Sequence, residues 1–263
     1  RTLLEDESRP IVPLIAETGG QNAMIVDSTA LPEQVVADVI VSAFQSAGQR
    51  CSALRLLCLQ EDVAPRILDM LAGAVAELRL GDPGMLSTDV GPVIDAAARA
   101  RIEAHVERFA DRRLFGLTPG EDAARGHFVG PVALRLDSVE QLGEEIFGPV
   151  LHVVTWKAGE LESLVARINA RGYGLTMGLH SRLASVAETV RRSAHVGNLY
   201  VNRSMIGAVV GVQPFGGEGL SGTGPKAGGP HYLLRFATER TVSTDTTSAG
   251  GNASLLTLRE EAA

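Results

Sequence analysis

The chain has 263 residues, of which 45% are apolar and 21% charged, a composition typical of a globular domain with enough material for a hydrophobic core. A net charge of −7 argues against a nucleic-acid-binding surface, which needs a basic face. No apolar run approaches the roughly 18 residues of a membrane span, and two cysteines are too few for a disulfide-stapled secreted fold, so we expect a cytoplasmic protein.

Residues 1–80 predict short buried strands that alternate with amphipathic helices. Apolar residues recur at helical spacing between residues 31 and 47, and Pro32 stands where the first turn of a helix tolerates proline. Gly48 ends this predicted helix. The predicted strands cover residues 11–15, 22–26 and 54–59, and the predicted helices cover residues 31–47 and 64–78.

The remainder of the chain continues the alternation, with longer loops. Loops are predicted at residues 81–94, at 115–130 with a strand edge, and at 207–229, where glycines are frequent. Helices are predicted at residues 95–113, 160–170 and 183–194, and strands at 132–134, 150–154 and 198–202. The pattern indicates an α/β fold, an open sheet covered by helices.

Cys51 is the first candidate for chemistry. It follows Gly48 in a polar turn, between Arg50 and Ser52, whereas most cysteines are small buried hydrophobes. A nearby cation or the N–H groups of a helix start would favour its thiolate. Cys58, by contrast, stands within a run of leucines, and we expect it to be structural.

Glu17 is the second candidate. It stands between a predicted buried strand and Gly19-Gly20, where backbone can approach a ligand closely. The alternative is a solvated turn carboxylate. A carboxylate held in such a place can have the raised pKa that suits a general base. A thiol that attacks a carbonyl and a carboxylate that activates water would together support acyl chemistry.

Two further motifs bear on a nucleotide cofactor. One motif, Glu145-Ile146-Phe147-Gly148-Pro149, has two interpretations. It is either a helix end before a turn, or a site at which the Glu145 carboxylate binds ribose hydroxyls and the Phe147 ring packs against a flat ring. The stretch 217–222 matches G-x-G-x-x-G literally, but the following Thr-Gly-Pro prevents a helix from starting. We therefore reject a dinucleotide fingerprint at residues 217–222 and expect a shaped loop near the substrate.

The six histidines show no metal-ligand spacing, and most are expected to be ordinary surface or packing residues. A nucleophile elbow of the form G-x-S-x-G, which a serine hydrolase of the α/β type would need, is also missing from the sequence.

In this order, the motifs Glu-Thr-Gly-Gly at 17–20, Gly-Gln-Arg-Cys at 48–51, Glu-Ile-Phe-Gly-Pro at 145–149 and Pro-Phe-Gly-Gly at 214–217 resemble the aldehyde dehydrogenase superfamily. Residues 17–23, 51–53 and 202–211 resemble the L-glutamate γ-semialdehyde dehydrogenase module of the bifunctional proline utilisation A family. The tail at residues 250–255 is similar to the C-terminal end of short members of that family.

The resemblance implies a role for each matching residue. Cys51 would be the nucleophile and Glu17 the general base. Glu145 would bind a ribose of NAD, Phe147 would contact the nicotinamide side, and Thr18 would offer its backbone to the nicotinamide.

The resemblance also implies a substrate site. The carboxylate of glutamate γ-semialdehyde would be held by Ser52 and by the main-chain amides of Gly207 and Ala208, because aligned N–H groups can bind an anion without a buried cation. Phe215 would pack on the aliphatic part of the substrate. Cys51 would form a thiohemiacetal and then a thioester, with its own backbone N–H as one oxyanion donor.

The expected domains are a remnant of the NAD-binding domain at residues 1–19, a catalytic domain at 20–224, and a C-terminal segment at 225–263 for oligomerisation or partner contact. Only 16 residues precede Glu17, so we expect most of the family's Rossmann-like NAD-binding domain to be lacking. The full-length enzyme is expected to be a homo-oligomer acting on a small aldehyde. The alternatives are a non-catalytic assembly fragment and an NAD-independent cysteine esterase.

Overall fold

The computed structural model describes residues 12–120 and 125–245, together with residues 8 and 10. The chain divides into two compact units, residues 1–232 and residues 233–263. In the second unit, a short 3₁₀ turn spans Leu233–Phe236.

The described part of the first unit contains a large sheet with helices, and a small two-stranded sheet. The strands are β1 Ala23–Val26, β2 Leu56–Gln60, β3 Arg113–Gly116, β4 Val132–Arg135, β5 Val150–Trp156, β6 Tyr173–Gly174, β7 Thr176–His180, β8 Asn198–Val201 and β9 Glu218–Gly219. The α-helices are α1 Pro32–Phe44, α2 Ala64–Ala76, α3 Ala96–Arg108, α4 Leu161–Asn169 and α5 Ala184–Ser193.

The large sheet has seven strands in the order β3-β4-β5-β2-β1-β7-β8. Only β3 pairs antiparallel, with β4, and every other pairing in this sheet is parallel. Strands β6 and β9 form the small antiparallel sheet. The predicted α/β class with an open sheet is therefore confirmed.

Helices cover both faces of the large sheet. Because successive strand residues point to opposite faces, Met24 of β1 joins a core with α1 and α2, whereas Ile25 joins a second core with α4 and α5. Both side chains are fully buried. The sequence favours these helices locally: Pro32 begins α1, and the Asp95 carboxylate caps α3 by accepting the N–H of Ala98 at 2.7 Å.

Most predicted elements are confirmed, but one predicted strand does not form and one helix end is wrong. Residues 12–16 form no strand, and Glu17 makes only an isolated bridge with Gly222. The charged helix predicted to run to residue 113 ends at Arg108, because a 3₁₀ turn follows it and leads directly into β3.

Strand β7 was not predicted, although it is an interior strand of the sheet, between β1 and β8. Its sequence contains Gly178, which weakens any strand signal. The structure explains that glycine: a Cβ at Gly178 would lie 3.1 Å from Met24 on the neighbouring strand.

Some predictions fall outside the described residues: Ile11, residues 121–124 of one predicted loop, and the tail at 250–255. The domain boundaries at 19 and 224 stay predictions. None of the helices in the described ranges is long and apolar enough to cross a bilayer.

Candidate active site

Three of the predicted reactive residues precede three neighbouring parallel strands. Glu17 stands six residues before β1, Cys51 five residues before β2, and Glu145 five residues before β5. These strands are adjacent in the order β5-β2-β1, and all three run in the same direction. The structure therefore brings the thiol and both carboxylates to one edge of the sheet, at the amino ends of its strands.

A left-handed turn places the Cys51 loop. Helix α1 ends at Phe44, and Ser46, Ala47 and Gly48 then have φ values of +57°, +52° and +64°. Such conformations are unfavourable for residues other than glycine and concentrate at functional sites. A Cβ on Gly48 would lie 2.2 Å from the carbonyl oxygen of Gly148, so only glycine fits there.

Asn22, which the sequence did not mark, holds the far side of this loop. It is 3% exposed, and its Nδ2 donates to the carbonyl oxygens of Cys51 at 2.7 Å and Ala53 at 2.9 Å. Its Oδ1 accepts the N–H of Thr176 at 3.1 Å. The Thr176 hydroxyl donates to the carbonyl of Ser52 at 3.3 Å. Asn22 and Thr176 of β7 thus hold the carbonyls of residues 51 to 53.

The Cys51 thiol is half-buried, and burial raises its pKa. The N–H groups of Ser52 and of Cys51 itself act in the opposite direction, while the negative charges of Glu145 and Glu17 raise the pKa further. The predicted bias toward the thiolate is therefore not present in this arrangement. The Arg50 guanidinium instead contacts the Ser46 hydroxyl at 3.2 Å. Cys58 is fully buried, as predicted, and burial raises its pKa strongly.

Glu17 is an exposed residue, but its carboxylate lies against the backbone of two glycines. A Cβ added at Gly216 or at Gly222 would lie 2.8 or 3.2 Å from its Oε1. Burial raises the pKa of this carboxyl, and the N–H of Gly217 at 3.4 Å and the charge of Lys226 offset part of the rise. The predicted direction of the shift is confirmed.

Glu145 lies over the glycines of the Glu17 segment. A Cβ on Gly19 would lie 1.7 Å from its Oε2, and the N–H of Gly20 donates to the carboxylate. Its Oε1 is 3.5 Å from Nη2 of Arg55. Burial raises the pKa of Glu145, and the Arg55 charge opposes that rise.

Arg55 is a buried cation that the sequence did not reveal, since it stands in an apolar run. It is 1% exposed and donates to the carbonyls of Gly148 and Arg50, both at 3.1 Å. Its guanidinium also lies 5.1 Å from the ring centroid of Phe147, which is 40% exposed. One buried arginine therefore supports the Glu145 segment and the Cys51 loop together.

A pair of buried histidines lies next to this arginine. Nδ1 of His152 is 3.1 Å from the carbonyl of Arg55, so it carries the proton, and its Nε2 accepts from Nε2 of His105 at 2.8 Å. Nδ1 of His105 in turn accepts from Arg108 at 2.8 Å. Both histidines are thereby held neutral. Forty-seven residues separate them, which is why spacing gave no signal.

The remaining predicted residues have less contact with this cluster. Thr18 is exposed, and its N–H and hydroxyl donate to Ser221 and Leu220 carbonyls, which leaves its own carbonyl for a ligand. Ser52 is 6% exposed. Phe215 pairs with Ala227, next to the glycine loop around Glu17.

Gly207 and Ala208 stand in a surface loop after β8. Gly207 has φ +73°, and within the described ranges neither N–H donates to an acceptor. The loop at 217–222 contains β9, a turn and the bridge of Gly222 to Glu17, and no helix begins in it. No group of three or more metal-ligating side chains occurs in the described part of the chain.

Comparison with known proteins gives a consistent result. A model of the aldehyde dehydrogenase family matches residues 1–242. The chain is 59% identical over 247 residues to the bifunctional protein PutA of Escherichia coli (strain K12), covering 91% of this chain and 19% of that protein. It is 40% identical over 234 residues to a 1-pyrroline-5-carboxylate dehydrogenase of Geobacillus sp. (strain WCH70), covering 88% of this chain and 45% of that protein.

Solved structures agree. A crystal structure of mutant Bradyrhizobium japonicum Proline Utilization A (PutA) superposes with a TM-score of 0.88 at 58% identity, over 92% of this chain and 25% of that one. A Thermus 1-pyrroline-5-carboxylate dehydrogenase with bound NAD gives a TM-score of 0.77 at 37% identity, over 84% of this chain and 43% of that one. The chain thus spans less than half the length of each of these relatives.

Proposed function

This chain belongs to the aldehyde dehydrogenase family, and from that premise we propose that it carries the catalytic part of an enzyme that oxidises L-glutamate γ-semialdehyde to glutamate with NAD⁺. The observation that supports this most is the convergence of Glu17 and Glu145 on the Cys51 thiol, whose pKa both carboxylates affect. The similarity to PutA and to 1-pyrroline-5-carboxylate dehydrogenases supports the substrate.

Cys51 is the proposed nucleophile. Its sulfur attacks the aldehyde carbon and forms a thiohemiacetal. The N–H groups of Ser52 and Cys51 lower the pKa of the thiol and so offset part of the rise that burial causes. The Cys51 N–H is also the proposed donor to the developing oxyanion, and one such donor typically contributes about 10²–10³ in rate.

Glu17 is the proposed general base. Its raised pKa makes the carboxylate a stronger base than an ordinary surface glutamate. In the second half of the reaction it takes a proton from the water that attacks the Cys51 thioester, and glutamate is released. The N–H of Gly217 and the charge of Lys226 favour the ionised carboxylate and so oppose part of the effect of burial.

The residues around Glu145 fit a ribose and a flat ring. A carboxylate has about four acceptor positions, and Arg55 and the N–H of Gly20 occupy two of those of Glu145, which leaves acceptors for hydroxyls. Phe147 offers an exposed ring face beside it. Bound NAD⁺ would supply the acceptor for the hydride of the thiohemiacetal carbon. The chain's own part is to hold that carbon on Cys51, and the Thr18 backbone carbonyl would face the nicotinamide.

Gly207, Ala208 and Ser52 are the proposed anchors of the substrate carboxylate, with Phe215 beside the aliphatic carbons. The N–H groups of Gly207 and Ala208, which donate to no acceptor in the ranges described, supply the partial positive charge. A cytoplasmic location and a homo-oligomeric full-length enzyme complete the proposal.

The test is NADH formation with glutamate γ-semialdehyde and NAD⁺, measured for this chain, for an upstream-extended form, and for Cys51→Ala in both. We expect activity in the extended form that is lost with Cys51→Ala and retained in Cys58→Ala, which removes a core thiol only. Activity that survives Cys51→Ala would overturn the mechanism. Cys51-dependent ester hydrolysis without aldehyde oxidation in either form would favour the esterase instead.

A further inference from the structure

The proposed substrate loop and the catalytic cysteine start from opposite edges of the sheet. Cys51 precedes β2 and lies at the amino edge, whereas Gly207 and Ala208 follow β8, which ends at the carboxyl edge. The chain after β8 must therefore travel back across the sheet before its amides can meet a substrate bound at the thiol. Helix α1 runs alongside that path, since it begins after β1 at the carboxyl edge and ends just before the Cys51 loop.

Three polar residues of α1 contact the returning segment in order. Gln34 Nε2 donates to the carbonyl of Asn202 at 2.7 Å, and the Asp38 carboxylate faces the backbone N–H of Ser204, which opposes the rise that burial causes in the Asp38 pKa. The Ser42 hydroxyl accepts the N–H of Met205 at 3.1 Å.

Residues 34, 38 and 42 are spaced i, i+4, i+8, so they form one stripe along the helix. The stripe is about 12 Å long at 1.5 Å per residue. Residues 202, 204 and 205 meet this stripe in the same order along the chain, so the segment follows the helix from its first turn toward its last.

Both ends of the returning segment are fixed further. At its start, Asn202 has φ +53° and joins the ends of β7 and β8, because its side chain donates to the carbonyl of Ser181 at 2.8 Å and accepts the N–H of Ser181 at 3.0 Å. At its end, Met205 and Ile206 are buried at 0% and 5% exposure, immediately before Gly207.

Ser42 also contacts the nucleophile loop. Its carbonyl, one of the last of the helix and so without an intrahelical partner, accepts the N–H of Leu54 at 2.9 Å. Ser42 itself is 1% exposed. A single residue therefore bonds through its hydroxyl to the segment that leads to Gly207 and through its backbone to the loop that carries Cys51.

Asp38 has an unusual environment for a surface-helix carboxylate. Its Oδ2 is buried without a hydrogen-bond donor, and Nε2 of His180 lies 3.3 Å away without the angle of a hydrogen bond. Both ring nitrogens of His180, which is 1% exposed, are likewise without a hydrogen bond. Burial raises the pKa of Asp38, and the backbone N–H of Ser204 and the charge of Arg203 offset part of that rise. The Asp38 carboxylate is thus kept at a desolvation cost beside the backbone of Ser204.

We propose that the polar stripe Gln34-Asp38-Ser42 of α1 is a positioning device that sets the distance between the Cys51 thiol and the amides of Gly207 and Ala208, and thereby selects aldehydes that carry a carboxylate at the far end. This inference rests on the proposed function, because it assumes that those amides bind the substrate carboxylate. The stripe residues touch neither substrate nor cofactor and act through the backbone of residues 202–205.

The experiment measures protection of Cys51 from alkylation by iodoacetamide, followed by mass spectrometry so that the buried Cys58 does not interfere. Two protecting aldehydes, 5-oxopentanoate and pentanal, both add to the thiol and differ only in the terminal carboxylate. The ratio of their half-protecting concentrations reports carboxylate recognition, while the unprotected alkylation rate reports the thiol itself. No cofactor is needed, so the chain can be used as it is.

In the wild type, 5-oxopentanoate should protect at lower concentration than pentanal. Ser42→Ala and Asp38→Ala should weaken protection by 5-oxopentanoate about three- to tenfold, the effect of one hydrogen bond, and leave pentanal protection and the unprotected rate within about twofold. Asp38→Asn, which keeps an acceptor for Ser204, should retain most of the preference. Glu33→Gln, on the same helix but paired with surface Arg66, is the matched control and should change nothing.

Two results would overturn the inference. Equal losses for both aldehydes would show that the stripe only supports the fold, and an unchanged ratio in both Ser42→Ala and Asp38→Ala would show that it has no role in selection. A wild-type ratio of one would instead refute carboxylate recognition by Gly207 and Ala208, and the stripe's proposed role would fall with it. The two failures are thus distinguished by the wild-type measurement alone.

Discussion

Lowering the pH from about 7.5 to about 5 is expected to destabilise the fold by about 4 kcal/mol through His105 and His152 alone. Burial, as the largest cause, lowers the pKa of His105 to about 4 and that of His152 to about 3, from 6.5 in an unconstrained chain. The hydrogen-bond chain from Arg108 to the Arg55 carbonyl requires both rings to be neutral. Protonation of either ring would place two N–H donors opposite each other, because the nitrogen that gains the proton already accepts a hydrogen bond.

The magnitude follows from proton linkage. The unfolded chain takes up a proton at each histidine as the pH falls below 6.5, whereas the folded protein takes up none until its lowered pKa values are reached. At pH 5, 1.5 units below the unfolded value, each histidine costs about 2 kcal/mol at about 1.4 kcal/mol per unit. Because both folded pKa values lie below 5, the result depends only on the unfolded value. The contribution of the two neutral histidines to the free energy of unfolding is fully present above pH 6.5 and is lost as the pH falls.

The assay is urea unfolding of the wild type and of the double variant His105→Gln/His152→Gln at both pH values. Subtracting the variant's change from that of the wild type removes every other titrating group. The difference should be about 4 kcal/mol, with the wild type losing more. Far-UV circular dichroism at pH 7.5 checks that the variant is folded. Equal losses in the two proteins would refute the neutral, buried pair.

Three other predictions concern the catalytic edge. Gly48→Ala should destabilise the protein by more than about 2 kcal/mol, because its Cβ would meet a backbone carbonyl at 2.2 Å at φ +64°, whereas Gly73→Ala, in open space on α2, should stabilise it by about 0.5–1 kcal/mol in thermal unfolding. Arg55→Met should cost about 3–5 kcal/mol by leaving the Glu145 carboxylate unpaired, and Arg55→Met/Glu145→Gln should recover part of that loss in the same measurement. Glu17→Gln should slow thioester release, so that acylated Cys51 accumulates in mass spectra, and in the wild type the rate of release should fall as the pH drops through the raised pKa of Glu17; no acyl-enzyme in the variant would argue against a base at this position.

Sequence patterns predicted those parts of the fold that depend on local periodicity. Helix α1 and strands β2 and β5 have apolar residues at regular spacing, and all are confirmed. Strand β7 was missed because Gly178 weakens its local strand pattern. The space at Gly178 is limited by Met24 on the neighbouring strand, and such a contact cannot be predicted from local sequence.

The candidate site shows the same division. The thiol and both carboxylates were found because they occur in short, ordered motifs. Arg55, Asn22 and the His105–His152 pair were not, since each has at least one partner that lies 29 to 154 residues away along the chain. The direction of the Cys51 pKa was also beyond sequence reasoning, because it depends on burial and on the approach of two carboxylates that only the folded chain brings together.

The strand order has a consequence for how the molecule could be divided. The exposed turn between β5 and α4, around Gly159, separates the chain into a first piece with β3-β4-β5-β2-β1 as contiguous neighbours and a second piece that adds β7 and β8 at one side. The first piece holds the thiol and both carboxylates, while the second supplies Thr176 and the glycine loop that enclose them. A chain cut at Gly159 would therefore yield two fragments. The reactive groups would all be on the first fragment and would be correctly positioned only when the second fragment binds to it.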